Sequence, residues 1–399
     1  MDPWTVRRPQ WLIVTPNIPR PDHSGGDRRL TEILVALSTD CDLYLVITGG
    51  QQDDDGPYEQ LLTDSGIKFV GSGTRAALRA LIWHGFDAVF FEFYISASRL
   101  LPIVRRMQPH ALVIVDSVDL HYLREQEAAR LGLLRAEVAV KTEIEEIDIY
   151  RKADVVVAVS TPEAALLRER GLTDLEIIPI IVRLSIRNDF EREPQLLFVG
   201  GFSHLPNRLA VEWFRQDVWP LIRSRMSNAS WVIAGSKAPP EIKAFDGIDG
   251  VTVLGYVPST SPLIDRAQIS IAPLTYGAGM KVKVCEALAG GLPLVTTKWG
   301  AQGLEDGRES AFLVADSPQE FADAVVRLLV DVDERARLSH AGQLFAMKSC
   351  SIESAAPVIS KLVQRSRARQ TTPFPKRIFS MTQVLAAHGL SRFRATPRS

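Results

Sequence analysis

"YGAGMKVKVCEALAGGLPLVTT", residues 276–297, decides how the chain is read. The run before it, "QISIAPL" (268–274), is short, apolar and β-prone, as a buried strand is. Gly277 and Gly279 free the backbone for a tight turn. Apolar residues then recur at helical spacing through Val284, Ala287 and Leu288, which predicts a helix from Met280. Gly290-Gly291 and Pro293 close it, and "LPLVTT" opens the next strand. Strand, glycine turn and helix aim unpaired N–H groups and a positive dipole end at an anion. Gly277, Ala278, Gly279, Met280 and Lys281 therefore form a candidate anion-binding loop.

The same alternation runs the length of the chain. A first series of apolar strands lies at 11–15, 43–48, 88–93, 111–116 and 154–160, with helical patterns between them, the longest over about 122–152. A second series lies at 195–200, 230–235, 250–255, 268–273, 293–297 and 311–316. Nearly continuous apolar strands between amphipathic helices predict parallel sheets covered on both faces. The charged stretch "RLSIRNDFEREP" (183–194) separates the series as a linker. The fold class is thus α/β, with two Rossmann-like domains, 1–182 and 195–350, facing a central cleft.

Composition narrows the function. The chain has 399 residues, 46% hydrophobic and 23% charged, as an ordinary globular protein does. A formal net charge of -1 excludes a globally basic nucleic-acid binder. Three cysteines, widely spaced and without CxxC, predict a reducing compartment and no zinc site. No run approaches the ~20 apolar residues of a membrane span, and the N-terminus does not read as a signal peptide, so a cytoplasmic protein is expected. From Ser354 onward there are nine Lys/Arg and no acid, which leaves a formal net charge of -10 on the rest.

Parallel sheets bind ligands beyond the carboxyl ends of their strands, so the residues directly after strands carry the information. In the helix from Met280, Lys283 and Glu286 share a face, with Glu286 ~9 Å along the axis from Met280. That is about the reach from a diphosphate at the helix start to a ribose. The alternative is a surface Lys-Glu pair at i, i+3. "GGFSHLPN" (200–207) offers Gly201 for close backbone approach, Asn207 as an N-cap, and His204 and Arg208 for phosphate. His121 is a candidate hydrogen-bond donor or acid/base, with Asp119 to orient it; the alternative is a polar cap. Gly25 and Gly26 precede a helix expected to begin near Arg28. The acidic groups at 53–55 and 116–119 invite a metal reading, but one sits in a polar loop and the other caps a strand; no metal is expected. A nicotinamide dehydrogenase would carry G-x-G-x-x-G after its first strand, where this chain has "TPNIPRPDHSGG".

"GAGMKVKVCEALAGGLPLVTT" followed by "GAQGLE" (300–305) resembles the donor-site signature of GT-B glycosyltransferases of the family 4 group. "FVGGFSHLPNRLAVEWF" (198–214) is similar to the first strand and helix of that family's C-terminal domain. "VTPNIPRPDHSGGDRRL" (14–30) and "DSVDLHYLREQEA" (116–128) resemble its N-terminal domain. The likeness runs from about residue 10 to 350. It implies sugar transfer from a nucleotide-sugar to an acceptor, a glycan, polysaccharide or lipid-linked precursor, usually with retention and without a bound metal or other cofactor. Glu286 matches the second glutamate of the family's E-x7-E pair, the one that typically holds the ribose. The first falls at Ala278, and the usual Arg and Lys on the diphosphate fall at Gly201 and Pro206. The resemblance therefore implies Lys283 and Lys281 as the diphosphate cations. It makes His121 the group reaching the transferring sugar or phosphate, and sets Gly25, Gly26, Arg28 and Asp119 on the acceptor side. The same fold also serves sugar-nucleotide epimerases and inactive nucleotide-sugar-binding relatives.

The resemblance further implies that 351–366 crosses back to the N-terminal domain. Beyond it, 375–394 mixes Ile378, Phe379, Val384, Leu385, Leu390 and Phe393 with Lys and Arg. This basic tail could rest on an anionic membrane surface near a lipid-linked acceptor, or simply be solvated.

Overall fold

A computed structural model describes residues 7–185 and 194–369 of the chain. The basic tail from residue 370 and residues 186–193 of the expected linker lie outside the described residues.

The first seven strands are β1 (Gln10–Thr15), β2 (Asp42–Ile47), β3 (Ile67–Ser72), β4 (Ala88–Glu92), β5 (Leu112–Asp116), β6 (Val155–Ala158) and β7 (Leu175–Ile177). They form one parallel sheet in the order β3-β2-β1-β4-β5-β6-β7. The next six are β8 (Gln195–Val199), β9 (Ser230–Ala234), β10 (Val251–Gly255), β11 (Ile269–Ala272), β12 (Leu294–Thr296) and β13 (Leu313–Val314). They form a second parallel sheet, β10-β9-β8-β11-β12-β13. Central strands such as "LVIVD" and "ISIA" are buried at every position because helices cover both faces.

Each sheet reverses its strand order once, between β1 and β4 and between β8 and β11. A crevice opens at such a point beyond the strand ends. The loops after β1, β8 and β11 are therefore the ones placed to hold a ligand.

Four elements differ from the sequence reading. The helix expected to begin near Arg28 begins at Gly25, capped by the Ser24 side chain on the Asp27 N–H. The pattern over 122–152 is two helices, His121–Arg130 and Ala136–Lys152, broken where Gly132 takes φ 72°. The helix expected from Met280 runs Val282–Ala289, because Lys281 keeps an extended backbone as its N-cap. Asn207 is not an N-cap: the helix Leu205–Trp213 already begins at Leu205, after His204.

Helix Ile352–Arg367 returns to the first sheet. Ala355, Ile359, Leu362 and Val363 form its buried stripe against a core that includes Trp11, Ile33 and Leu45. The three larger side chains contribute ~1.5–3 kcal/mol each when fully buried. Trp11 Nε1 donates to Ser366 Oγ at 3.0 Å, and Arg365 pairs with Asp174 at 2.7 Å. The two stretches joining the sheets lie side by side: the Val182 N–H donates to the Cys350 carbonyl at 2.8 Å. Cys41, Cys285 and Cys350 are buried free thiols.

Candidate active site

The loop after β11 turns at Gly277 (φ 139°) and Gly279 (φ 72°), values that a side-chain-bearing residue rarely adopts. Lys281 folds back over this turn. Its ammonium donates to the Ala278 carbonyl at 2.8 Å, to the Gly279 carbonyl, and to Gln302 Oε1 at 3.2 Å. Two residues on, in the first turn of the helix, the Lys283 ammonium donates to Asn207 Oδ1 and lies 4.6 Å from the centre of the Phe198 ring. Asn207 is itself held by its Nδ2 donating to the Gly201 carbonyl at 2.8 Å. A Cβ at Gly200 would come within 2.9 Å of the Lys283 ammonium, so close approach here needs glycine. Neither lysine has a carboxylate in an ion pair among the described residues. Burial pushes Lys283 down to about 7, helped by the neighbouring charge of Lys281, and burial pushes Lys281 down to about 8. Two half-buried cations sit beside a helix N-terminus whose first N–H groups have no partner within the helix.

The surface Lys-Glu pairing of Lys283 with Glu286 does not form. Glu286 is taken instead by Arg28 from the helix Gly25–Ser38 of the other sheet. Its side chain is only 13% exposed, and burial raises its pKa against the pull of Arg28. Gly25 brings these two helices together: a Cβ there would lie 2.2 Å from Val282 Cγ2. Gly26 lies by Val118, 3.6 Å from its Cγ1 to an added Cβ.

The face opposite the lysines comes from β4 and β5. Phe93 and Val118 follow these strands at φ 62° and 59°, costing ~1–3 kcal/mol each. Such strain concentrates at functional sites. His121 opens its helix, and the buried Glu146 of the next helix accepts its N–H at 3.3 Å and that of Tyr122 at 3.1 Å. The His121 ring meets Phe93 and Tyr94 edge-on, each at 5.3 Å. Its Nδ1 lies 3.3 Å from Asp119 Oδ1, but neither buried atom completes a hydrogen bond. Burial lowers the His121 pKa, opposed by Asp119, so the ring is neutral at pH 7.

The two faces meet. An added Cβ at Gly279 would lie 3.1 Å from Glu163 Oε1 and 3.5 Å from Asp119 Cβ. His204, pushed down to about 4 by burial and then by Lys283, also feels Arg124 and Asp119 across the cleft. Thus His121, Asp119, His204, Asn207, Lys281, Lys283 and the 277–280 loop share one site, with Gly25, Arg28 and Glu286 at its flank. Arg208 stands apart, paired with Glu212 at 2.9 Å. The acidic groups read as possible metal ligands have arginine partners: Asp54 and Asp55 hold Arg20, Asp116 holds Arg29, and Asp119 holds Arg124.

Three residues escaped the sequence reading. Arg124, three positions after His121, was findable from its helical spacing. Glu163 carried the signal S-x-x-E: the Ser160 side chain accepts its N–H at 3.3 Å. Its Oε1 is nevertheless buried without a partner, and burial, then Asp119, pushes its pKa up to about 8. Glu146, 25 residues from His121, carried no local signal.

Residues 193–331 match the family model described as Glycosyl transferases group 1. No curated protein matches the chain. Sucrose-phosphate synthase from Thermosynechococcus elongatus superposes over 89% of this chain and 98% of its own, with TM-score 0.68 and 16% identity. HepE from Anabaena, solved with UDP and glucose, covers 89% and 99%, with TM-score 0.67 and 12% identity. TarM from S. aureus, whose complex holds Fondaparinux, alpha-GlcNAc-glycerol and UDP, covers 72% of this chain. The chain spans only 58% of TarM, with TM-score 0.58 and 12% identity. The fold is that of the GT-B glycosyltransferases, and the match to the group 1 model falls on the half of the chain built around the second sheet.

Proposed function

We propose that the protein transfers a sugar from a nucleotide-sugar to an acceptor hydroxyl, in the manner of family 4 enzymes, with retention and without a metal. The observation that carries this reading is the pair Lys281–Lys283, half-buried beside a helix N-terminus and free of any carboxylate ion pair among the described residues. Such a site calls for a polyanion. As the glycosidic bond breaks, negative charge grows on the departing diphosphate and the sugar gains oxocarbenium character. The Val282–Ala289 helix end and Lys283 stabilise that charge where a metal ion would otherwise do so. Glu286 accepts from the ribose hydroxyls, and Arg28 turns from it toward the acceptor side. Neutral His121 faces the transferring sugar. The acceptor is a hydroxyl of a glycan, polysaccharide or glycolipid precursor that enters between Gly26 and Asp119.

HepE and TarM were solved with UDP, which makes UDP-sugars the first donors to try. The test incubates the full chain with UDP-, GDP- and ADP-sugars, with and without EDTA, and follows nucleotide release and sugar products. Slow donor hydrolysis or transfer that survives EDTA is expected. Isomerised donor would identify an epimerase, binding without turnover an inactive relative, and loss with EDTA restored by Mg²⁺ would remove the metal-free mechanism.

A further inference from the structure

The helix Ala136–Lys152 has two unlike faces. Its inner face carries Glu146, which holds the N-terminus of the His121 helix. Its outer face presents Val140 and Ile144, one turn apart and 54% and 66% exposed, on an open surface made by this helix alone. Glu137, Lys141 and Glu145 flank them. An exposed i, i+4 apolar pair with a polar rim gives a second amphipathic segment a surface to pack on.

Where the described chain ends points to the occupant. The Arg369 guanidinium lies 4.0 Å from the Asp154 carboxylate, two residues beyond the last residue of this same helix. Residues 370–399 continue from there with five Lys/Arg, no acid, and the apolar Ile378, Phe379, Val384 and Leu385. Val140 is ~18 Å along the helix from Lys152 at ~1.5 Å per residue. Residues 370–377 can span up to ~26 Å when extended, so Ile378 reaches Val140 with slack. Charge agrees. Glu137, Glu145 and Asp148 are exposed on this face against Lys141 and Lys152, which leaves it one charge negative, as suits a basic segment more than an anionic bilayer.

We propose that residues 378–393 dock within the same molecule onto the outer face of Ala136–Lys152, covering Val140 and Ile144. The tail would then rest on the helix whose other face positions His121.

Hydrogen exchange on the full chain, read by mass spectrometry at two protein concentrations, tests this. In the wild type, amides of 378–393 should exchange at least about tenfold more slowly than in Val140→Asp/Ile144→Asp, equally at both concentrations. Both replaced side chains are exposed, and circular dichroism checks the fold. Phe379→Asp/Val384→Asp gives an independent reading, through faster exchange over 138–146. The proposal is overturned if 378–393 is unprotected in the free chain, or if protection survives both double variants. It is equally overturned if protection grows with concentration, indicating a second copy, or arises only on phosphatidylglycerol vesicles, indicating a membrane.

Discussion

Nucleotide binding should weaken steeply with rising pH. In the free protein Lys283 sits at about 7 and Lys281 at about 8, because burial strips their hydration and, at Lys283, the charge of Lys281 adds to that effect. A bound diphosphate reverses that balance and holds both ammonium groups charged. The complex therefore carries more protons than the free protein at pH 7–9, and affinity falls as pH rises through the free values. With a free value of about 7 and a bound value above ~10, Lys283 alone lowers affinity about 50-fold from pH 7 to pH 9. Lys281 adds about tenfold over the same range. Calorimetry of UDP, with GDP as second probe, in two buffers of different ionisation enthalpy reads both quantities. Near pH 8 it should count about 1.4 protons taken up, about 0.9 at Lys283 and about 0.5 at Lys281. Lys283→Met should remove the larger part of the slope. Flat affinity from pH 7 to 9 with no proton uptake, in protein that stays folded, would refute the argument that these lysines meet the diphosphate.

Glu286→Ala should lose ~1.5–3 kcal/mol of nucleotide affinity, as a charged hydrogen bond does, and unchanged calorimetric affinity in folded protein would remove Glu286 from the donor site. Lys283→Ala should lower kcat more than it raises KM, since leaving-group charge peaks in the transition state; equal losses would make it a ground-state contact. His121→Ala should lose rate with little change in thermal midpoint, and wild-type turnover would exclude it. Gly25→Ala drives a Cβ to 2.2 Å from Val282 Cγ2 and 2.5 Å from its Cβ, so it should cost ~1–3 kcal/mol and reduce nucleotide affinity; an inert Gly25→Ala would show that the two helices need not meet.

The donor-side site was legible because its signals are local. "QISIAPL", the glycine turn and "VKVCEALAGG" sit within about two dozen residues, so periodicity and turn chemistry alone place Lys283 beside a helix N-terminus. Strands β3 and β7 were not legible. Each is an edge strand, half-buried, so "IKFVGS" and "LEI" lack the continuous apolar run of the central strands. The partners of Glu286 and Asn207 were equally hidden. Arg28 is 258 residues from Glu286, and Lys283 is 76 from Asn207, so only tertiary packing creates those bonds. Even the displaced helix start has a tertiary cause, since Lys281 turns back to the carbonyls of Ala278 and Gly279 instead of entering the helix.

The seam at Val182 and Cys350 limits how the cleft can move. Both connections between the sheets pass through it, tied to each other by a hydrogen bond, and the returning helix is anchored on the first core by Trp11 and Arg365. Two adjacent tethers permit rotation about one axis and suppress sliding and twisting. Groups near the seam, such as Met280 and Ser160 packed around Gly303, then shift little. The wider arc falls on Tyr256, whose hydroxyl donates to Asp22 across the cleft at 2.7 Å. Opening would break that cross-cleft contact first, so the position of the hinge sets which side of the cleft opens widest.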